Sequence, residues 1–171
     1  MSVCDSFATF DLGGLGLQRV GTAPWYARPP GRVTVASRPD GIVIRRVANQ
    51  DELRQFERAI LIAFTLPFSV EPFALHSPAI LDDPAMHVLA GWCDGHLVST
   101  SMAYEAAGVL GIYGIGTIPK FRGRGFARAM TETALAICPE LPVTLQPTQA
   151  AAPMYRALGF APIGTYALWR R

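Results

Sequence analysis

The residues best placed to do chemistry are Arg122-Gly123-Arg124-Gly125-Phe126-Ala127. They stand between a β-prone run, Gly111-Ile112-Tyr113-Gly114-Ile115-Gly116-Thr117-Ile118-Pro119, and a stretch where Ala127, Met130, Ala134 and Cys138 recur at helical spacing. A glycine-rich turn at a helix start leaves backbone N–H groups unpaired and aimed outward. The helix macrodipole adds partial positive charge at that end, so the turn suits a phosphate or pyrophosphate. Gly123 and Gly125 let the backbone approach a ligand closely. Arg122 and Arg124 add full charges beside it.

The surrounding pattern predicts the elements that must hold this loop. Ile42–Val47 reads as a strand after the turn Arg38-Pro39-Asp40-Gly41. Asn49-Gln50-Asp51-Glu52 reads as a capped helix start, continued by Leu53, Phe56, Ile60 and Phe64 and ended by Pro67. Residues 65–84 are punctuated by proline and contain a short second helix. Met86–Trp92 and His96–Glu105 read as an antiparallel pair around Cys93-Asp94-Gly95, with Gly108–Ile118 the next strand and 124–138 the helix after the loop. Leu141–Gln146 is a short strand, Thr148 a cap for a last helix through Leu158, and 160–170 a terminal strand. This order predicts a mixed α/β fold, with a central, mostly antiparallel sheet flanked by helices. Residues 1–40, rich in Gly, Pro and Arg, read as an N-terminal extension with a short strand at Arg32–Ser37, ahead of a domain over 41–171. The sequence leaves open whether that extension is a dimer arm, a lid or a tail.

Composition bounds the function. Of 171 residues, 50% are hydrophobic and only 16% charged, which supplies one sizeable core and excludes a disordered chain. A formal charge of +2 with scattered basic residues argues against nucleic acid. The cysteines Cys4, Cys93 and Cys138 have no metal-ligand spacing and suit reduced thiols, so no metal is expected. Asp5 and Asp11 break any leader-like apolar stretch, and no uncharged run approaches the ~20 residues that span a bilayer. A cytoplasmic protein without membrane partners is the expectation.

The loop and a second segment together resemble a known family. Thr117 through Ala127 is similar to the acetyl-coenzyme A signature of the GCN5-related N-acetyltransferases: Gln or Arg, two variable residues, Gly, one variable residue, then Gly or Ala, with an upstream proline at Pro119. Ala151-Ala152-Pro153-Met154-Tyr155-Arg156-Ala157-Leu158-Gly159-Phe160 resembles that family's late helix ending in Tyr-x-x-x-Gly-Phe, and Tyr155 lies 28 residues beyond Ala127 (155 − 127). The resemblance covers roughly residues 42–170. It implies that Arg122, Gly123, Arg124, Gly125, Phe126 and Ala127 hold the pyrophosphate of acetyl-coenzyme A, and that Ile115, Gly116 and Thr117 pair with its pantetheine arm. Gly111, Gly114 and Gly116 also suggest a bulge or a close backbone approach.

The implied reaction is direct attack of an amine on the thioester, with Tyr155 donating a proton to the leaving thiolate. A phenol of pKa about 10 can do so for a thiol near 8.5. Two departures from the family pattern stand out. Thr148 occupies the position of a cofactor-contacting Asn seven residues before the tyrosine. Gly108–Ile118 contains no acid where the family carries a Glu base, which leaves Glu105, with Glu71 and His76, as candidate bases. The resemblance places the acceptor pocket at residues 65–80 and Tyr104, with Phe64, Phe68 and Phe73 as apolar walls and Trp25 or Tyr26 as further members. A small-molecule or peptide amine is the expected acceptor, and a homodimer stays open. Two other readings compete: a non-catalytic acyl-coenzyme A-binding or regulatory module on the same fold, and a dinucleotide-binding protein. Pro119 at the third glycine position argues against the latter.

Overall fold

A computed structural model describes residues 2–33, 38–66 and 73–171. In chain order the elements are β1 (Ser2–Asp5), β2 (Gln18–Arg28), β3 (Val43–Arg46), α1 (Gln50–Ala63), β4 (Met86–Cys93), β5 (His96–Ala106), β6 (Val109–Thr117), α2 (Phe126–Leu135), β7 (Val143–Leu145), α3 (Ala152–Ala157) and β8 (Ala161–Arg170). Short 3-10 turns occupy Gly13–Leu15, Pro78–Leu81 and Pro119–Phe121. The chain forms two compact units, residues 30–141 and residues 1–29 with 142–171.

In the 30–141 unit the strand order is β3-β4-β5-β6, every neighbouring pair antiparallel. β4 and β5 are joined by Asp94-Gly95, whose φ angles of 51° and 76° give the turn that matches strand twist. Side-chain alternation separates the two helices onto opposite faces. Next to Gly116 lie Ala63 and Phe64, at the end of α1, and Thr100; next to Gly91 lie Met130 of α2 and Ser99. Ser99 and Thr100 are consecutive, so they point to opposite faces.

α1 begins where expected, Asn49 Oδ1 accepting the Glu52 N–H at 3.0 Å. Its buried face carries Leu53, Phe56, Glu57, Ala59, Ile60, Leu61 and Ala63. Of these, Leu53, Phe56, Ala59 and Ile60 build one core with Val47, Val88, Ala90, Leu97 and Met102, over which Phe73, Ile80 and Leu81 pack. Phe64, expected on that face, is the C-terminal cap and 41% exposed. The second helix expected within 65–84 is the single 3-10 turn Pro78–Leu81. α2 is shorter than 124–138 at both ends, because Gly125 at φ 79° cannot be its first turn and its last residue is Leu135.

In the other unit the order is β1-β8-β2-β7, again antiparallel throughout. Residues 2–28 thus form two strands that pair with the C-terminal one. The strand expected at Arg32–Ser37 is not seen at Arg32 and Val33, and the rest of it lies outside the described residues. Leu17, Ala167 and Trp169 form a small core with Val3, Ala8 and Leu12. The buried carboxylate of Asp5 accepts the N–H groups of Phe7 (3.2 Å) and Phe10 (2.8 Å), folding the turn after β1. No helix of the described residues is long and apolar enough to cross a membrane.

Candidate active site

β6 brings Ile115, Gly116 and Thr117 to the foot of the glycine loop. Between Thr100↔Gly116 and Met102↔Tyr113 the β5–β6 register slips, so Gly114 and Ile115 together oppose Ser101. This is a β-bulge, and Gly114 carries it at φ 58°. Of the three glycines that suggested close approach, Gly116 answers to the protein itself. A Cβ there would stand 2.8 Å from the Ala63 Cβ, so α1 packs directly on it. Gly111 lies beneath the ring of Tyr113.

The loop turns twice through the left-handed region, at Gly123 (φ 76°) and Gly125 (φ 79°). Gly125 is the N-cap of α2, and among the described residues no side chain caps that helix. Within that set the first helical N–H groups keep no side-chain cap, at the positive end of the macrodipole. A Cβ on Gly123 would project into open space, whereas one on Gly125 would reach the Pro39 Cγ at 3.2 Å. An uncapped helix start, preceded by two positive-φ glycines with open space beside the first, fits a pyrophosphate.

The two arginines of the loop differ. Arg122 donates Nε to the Thr117 carbonyl (3.1 Å) and Nη2 to the Ala63 carbonyl (2.7 Å). The guanidinium thus closes the C-terminus of α1 onto the end of β6, satisfying one of the carbonyls a helix end leaves open. Arg124 lies over the rings of Phe126 (4.9 Å) and Phe121 (5.6 Å), with Nη1 3.9 Å from Cys93 Sγ. Phe126 is buried and Ala127 half-buried.

The candidate bases in this unit lie apart from the bulge. Glu105 is exposed, four residues along β5 from Ser101, about 13 Å at the strand rise. Its Oε2 accepts from the Cys138 thiol at 3.6 Å. Burial first, and then this carboxylate, hold that thiol above its ordinary pKa. His76 stacks edge-on against Phe56 and is pushed down by burial, with Glu57 opposing the shift. Its Nδ1 is 3.5 Å from Glu57 Oε1, an electrostatic neighbour rather than a made hydrogen bond. Glu71, like Pro67 and Phe68, lies outside the described residues.

Sequence reasoning missed Glu57. This buried carboxylate accepts the N–H groups of Phe73 and His76, each at 2.8 Å, and so holds the 73–76 segment on α1. The signal was present: an acid four residues after Leu53, on the apolar side of an amphipathic helix. Phe73 has φ 65° and lies under the Arg54 guanidinium, and Tyr104 is half-buried opposite Met86 and Gly111.

Tyr155 and Thr148 belong to the other unit. Tyr155 is 5% exposed on α3, its ring edge-on to Phe160 with centroids 5.8 Å apart. Phe160 N–H bonds the Tyr155 carbonyl (3.1 Å) and Gly159 N–H that of Arg156 (3.0 Å), with Gly159 at φ 86°. This is a Schellman end, its apolar contact made by Tyr155 and Phe160. Thr148 does not cap α3, which begins at Ala152; its Oγ1 accepts from Ala151 at 3.3 Å, forming the turn just before the helix. Tyr26 is a core residue, and Trp25 packs edge-on against Tyr166. Trp25 also lines an apolar groove of about 240 Å³ with Phe7 and Ile163.

Comparison with known proteins bears on this arrangement. Residues 53–160 match the model of the acetyltransferase (GNAT) family. Among solved structures, a GCN5-related N-acetyltransferase from Kribbella flavida is 27% identical (TM-score 0.65), the alignment covering 92% of this chain and 61% of that one. One from Sphaerobacter thermophilus is 22% identical (TM-score 0.66), covering 100% and 59%. An aminoglycoside acetyltransferase from an uncultured soil metagenomic sample is 16% identical (TM-score 0.60), covering 70% and 88%. The chain thus spans about 60% of the length of the first two. No curated protein matches the sequence.

Proposed function

The chain belongs to the acetyltransferase (GNAT) family, and from that premise we propose that it transfers an acetyl group from acetyl-coenzyme A to the amine of a small molecule or peptide. The observation that carries this reading is the uncapped start of α2 behind Gly123 and Gly125, directly downstream of the bulged strand β6. N–H groups of residues 123–127 hold the pyrophosphate, with the macrodipole behind them. Ile115, Gly116 and Thr117 present backbone groups to the pantetheine arm. Arg122 acts mainly by fixing the loop, since two of its donors are engaged by carbonyls. Arg124 contributes charge at the loop's edge, and Phe126 seats the helix. Thr148 supports the turn into α3 and offers a hydroxyl to the cofactor.

Acetyl-coenzyme A supplies an activated acyl group: the amine nitrogen bonds to the thioester carbon, and the carbon–sulfur bond breaks. An N–H at the bulge stabilises the charge that builds on the carbonyl oxygen. Tyr155 gives its phenolic proton to the leaving sulfur, and Glu105 takes the amine's proton through water across the intervening distance. The acceptor is bounded by the 73–76 segment that Glu57 holds, together with Phe64 and Tyr104. Apolar walls with few charges favour a small, partly hydrophobic amine.

Titration calorimetry with acetyl-coenzyme A, followed by thiol release with a panel of amines, tests this reading. Binding and turnover are expected. Tyr155→Phe should lower kcat roughly 100-fold, in the range of general acid catalysis, with the KM for acetyl-coenzyme A little changed. Binding without thiol release for any amine would replace transfer by the non-catalytic acyl-coenzyme A module. A specific observation favours that second reading: β6 carries no acid between Val109 and Thr117.

A further inference from the structure

We propose that Thr100 and Ser99 are positioning residues that aim two backbone N–H groups of β6 at the thioester, an inference that rests on the acetyl-transfer reading above. Both side chains are fully buried. A buried strand position ordinarily takes a β-branched hydrocarbon, and a hydroxyl there is unfavourable unless it is bonded. Each of these is bonded to β6. Thr100 Oγ1 donates to the Gly114 carbonyl at 2.8 Å, and Ser99 Oγ to the Gly116 carbonyl at 2.8 Å. Ser99 Oγ also lies 2.9 Å from Thr117 Oγ1.

The Gly114 carbonyl lies in the stretch where the register slips, and the Gly116 carbonyl at its edge, where Gly116 pairs with Thr100. A bulge interrupts the regular ladder, and its backbone orientation must be set by other contacts. Here one hydroxyl from each face of the sheet sets it. The consequence follows from peptide geometry. In a planar trans peptide the carbonyl and the next residue's N–H point in opposite directions, and none of the described peptides is cis. A Gly114 carbonyl drawn toward β5 turns the Ile115 N–H away from β5. A Gly116 carbonyl drawn the same way does so for Thr117. Both donors then emerge along the edge of β6 that faces away from β5, available to a thioester carbonyl and an amide of the pantetheine arm. Ser101, the residue opposite the bulge, is buried, and its hydroxyl has no protein partner among the described residues. It takes no part in this hold.

The test compares Thr100→Val, which keeps shape and loses the hydroxyl, with Thr100→Ser, which keeps the hydroxyl. Backbone N–H order parameters of residues 113–117 are measured by NMR in the free protein, and kcat and KM are measured by thiol release. In Thr100→Val, the Ile115 order parameter should fall from the rigid range of about 0.85 toward about 0.6, and kcat should fall about 10- to 100-fold while KM for acetyl-coenzyme A stays within ~2-fold. Thr100→Ser should restore the order parameter and recover kcat to within ~3-fold. Ser99→Ala should loosen Thr117 in the same way, and it supplies the measurement if the valine variant does not fold. Unchanged order at Ile115 overturns the inference, as does a loss in Thr100→Val that serine does not rescue. If the unaltered protein releases no thiol, the acetyl-transfer reading fails on that result, while the order parameters still decide whether the hydroxyls hold the strand.

Discussion

Two glycine motifs in this chain look alike as strings and differ in how their backbone groups are used. At residues 122–127 the chain enters α2 through left-handed glycines, and the helix start that follows has no side-chain cap among the described residues. At residues 155–160 it leaves α3 through a left-handed glycine whose N–H, like that of Phe160, is consumed by the helix it ends. The first motif leaves donors open to a ligand, and the second closes on itself. A glycine at positive φ therefore marks a backbone need, and only the fate of the neighbouring N–H groups says whether the need is functional.

The sharpest break of this contrast is a matched pair of substitutions. Gly125→Glu puts a side chain against Pro39 and a negative charge at the helix start, and should weaken acetyl-coenzyme A binding more than ~100-fold. Gly159→Ala should leave the dissociation constant within ~2-fold while lowering stability by about 1–2 kcal/mol, the cost of an alanine at φ 86°. Calorimetry and chemical denaturation read the two effects separately. Equal losses of affinity in both variants would erase the distinction.

Arg122 sharpens the same comparison. Arg122→Met removes the bonds to Thr117 and Ala63 and should cost about 1–2 kcal/mol of stability. Its effect on affinity should be smaller and nearly independent of salt. A steep salt dependence present in the unaltered protein and lost in the variant would instead assign the guanidinium to the ligand's phosphates.

The smallest effect concerns the pH range over which these comparisons are clean. Burial lowers the pKa of His76 and His87, with Arg46 adding to the effect at His87. A histidine depressed in the folded state is neutral there while the unfolded chain still takes up protons. Its contribution is present above the unfolded pKa of about 6.5 and is lost as pH falls through the folded value. Stability should therefore decline between pH 7 and pH 5, and His76→Gln should flatten part of that decline. Denaturation midpoints at several pH values check this, and an unaltered slope would exclude His76 as a contributor.

Much of the 30–141 unit was legible because its signals are local. Asn49 announces α1, Asp94-Gly95 the β4–β5 hairpin, and Gly125 the start of α2. The strands at residues 2–28 were not legible. Only Tyr26 of β2 is buried, and two register shifts, at Arg19/Gly21 and Trp25/Tyr26, break the alternation that marks a strand. Pro24 added to the disguise. It is tolerated because β7 pairs only with Tyr26–Arg28, which leaves one edge of β2 unpartnered at Pro24 within this unit. Of the candidate residues the glycines and Tyr155 were visible, while Glu57 was hidden among the apolar residues of α1.

What the sequence determined by itself is a set of local backbone conformations: where α1 starts, where α3 stops, where chains reverse, and which loop can cradle an anion. Those follow from side chains acting on their own or adjacent peptides. The tertiary structure alone decided the partners. Arg122 meets Ala63 across 59 residues, Thr100 meets Gly114 across 14, and the Arg28 guanidinium closes on the Leu158 carbonyl across 130. A carbonyl is the same acceptor in every residue, so no string of letters names which one a distant donor will reach. The donors of the loop at 122–127 were readable, and what holds that loop and the bulge before it in place was not.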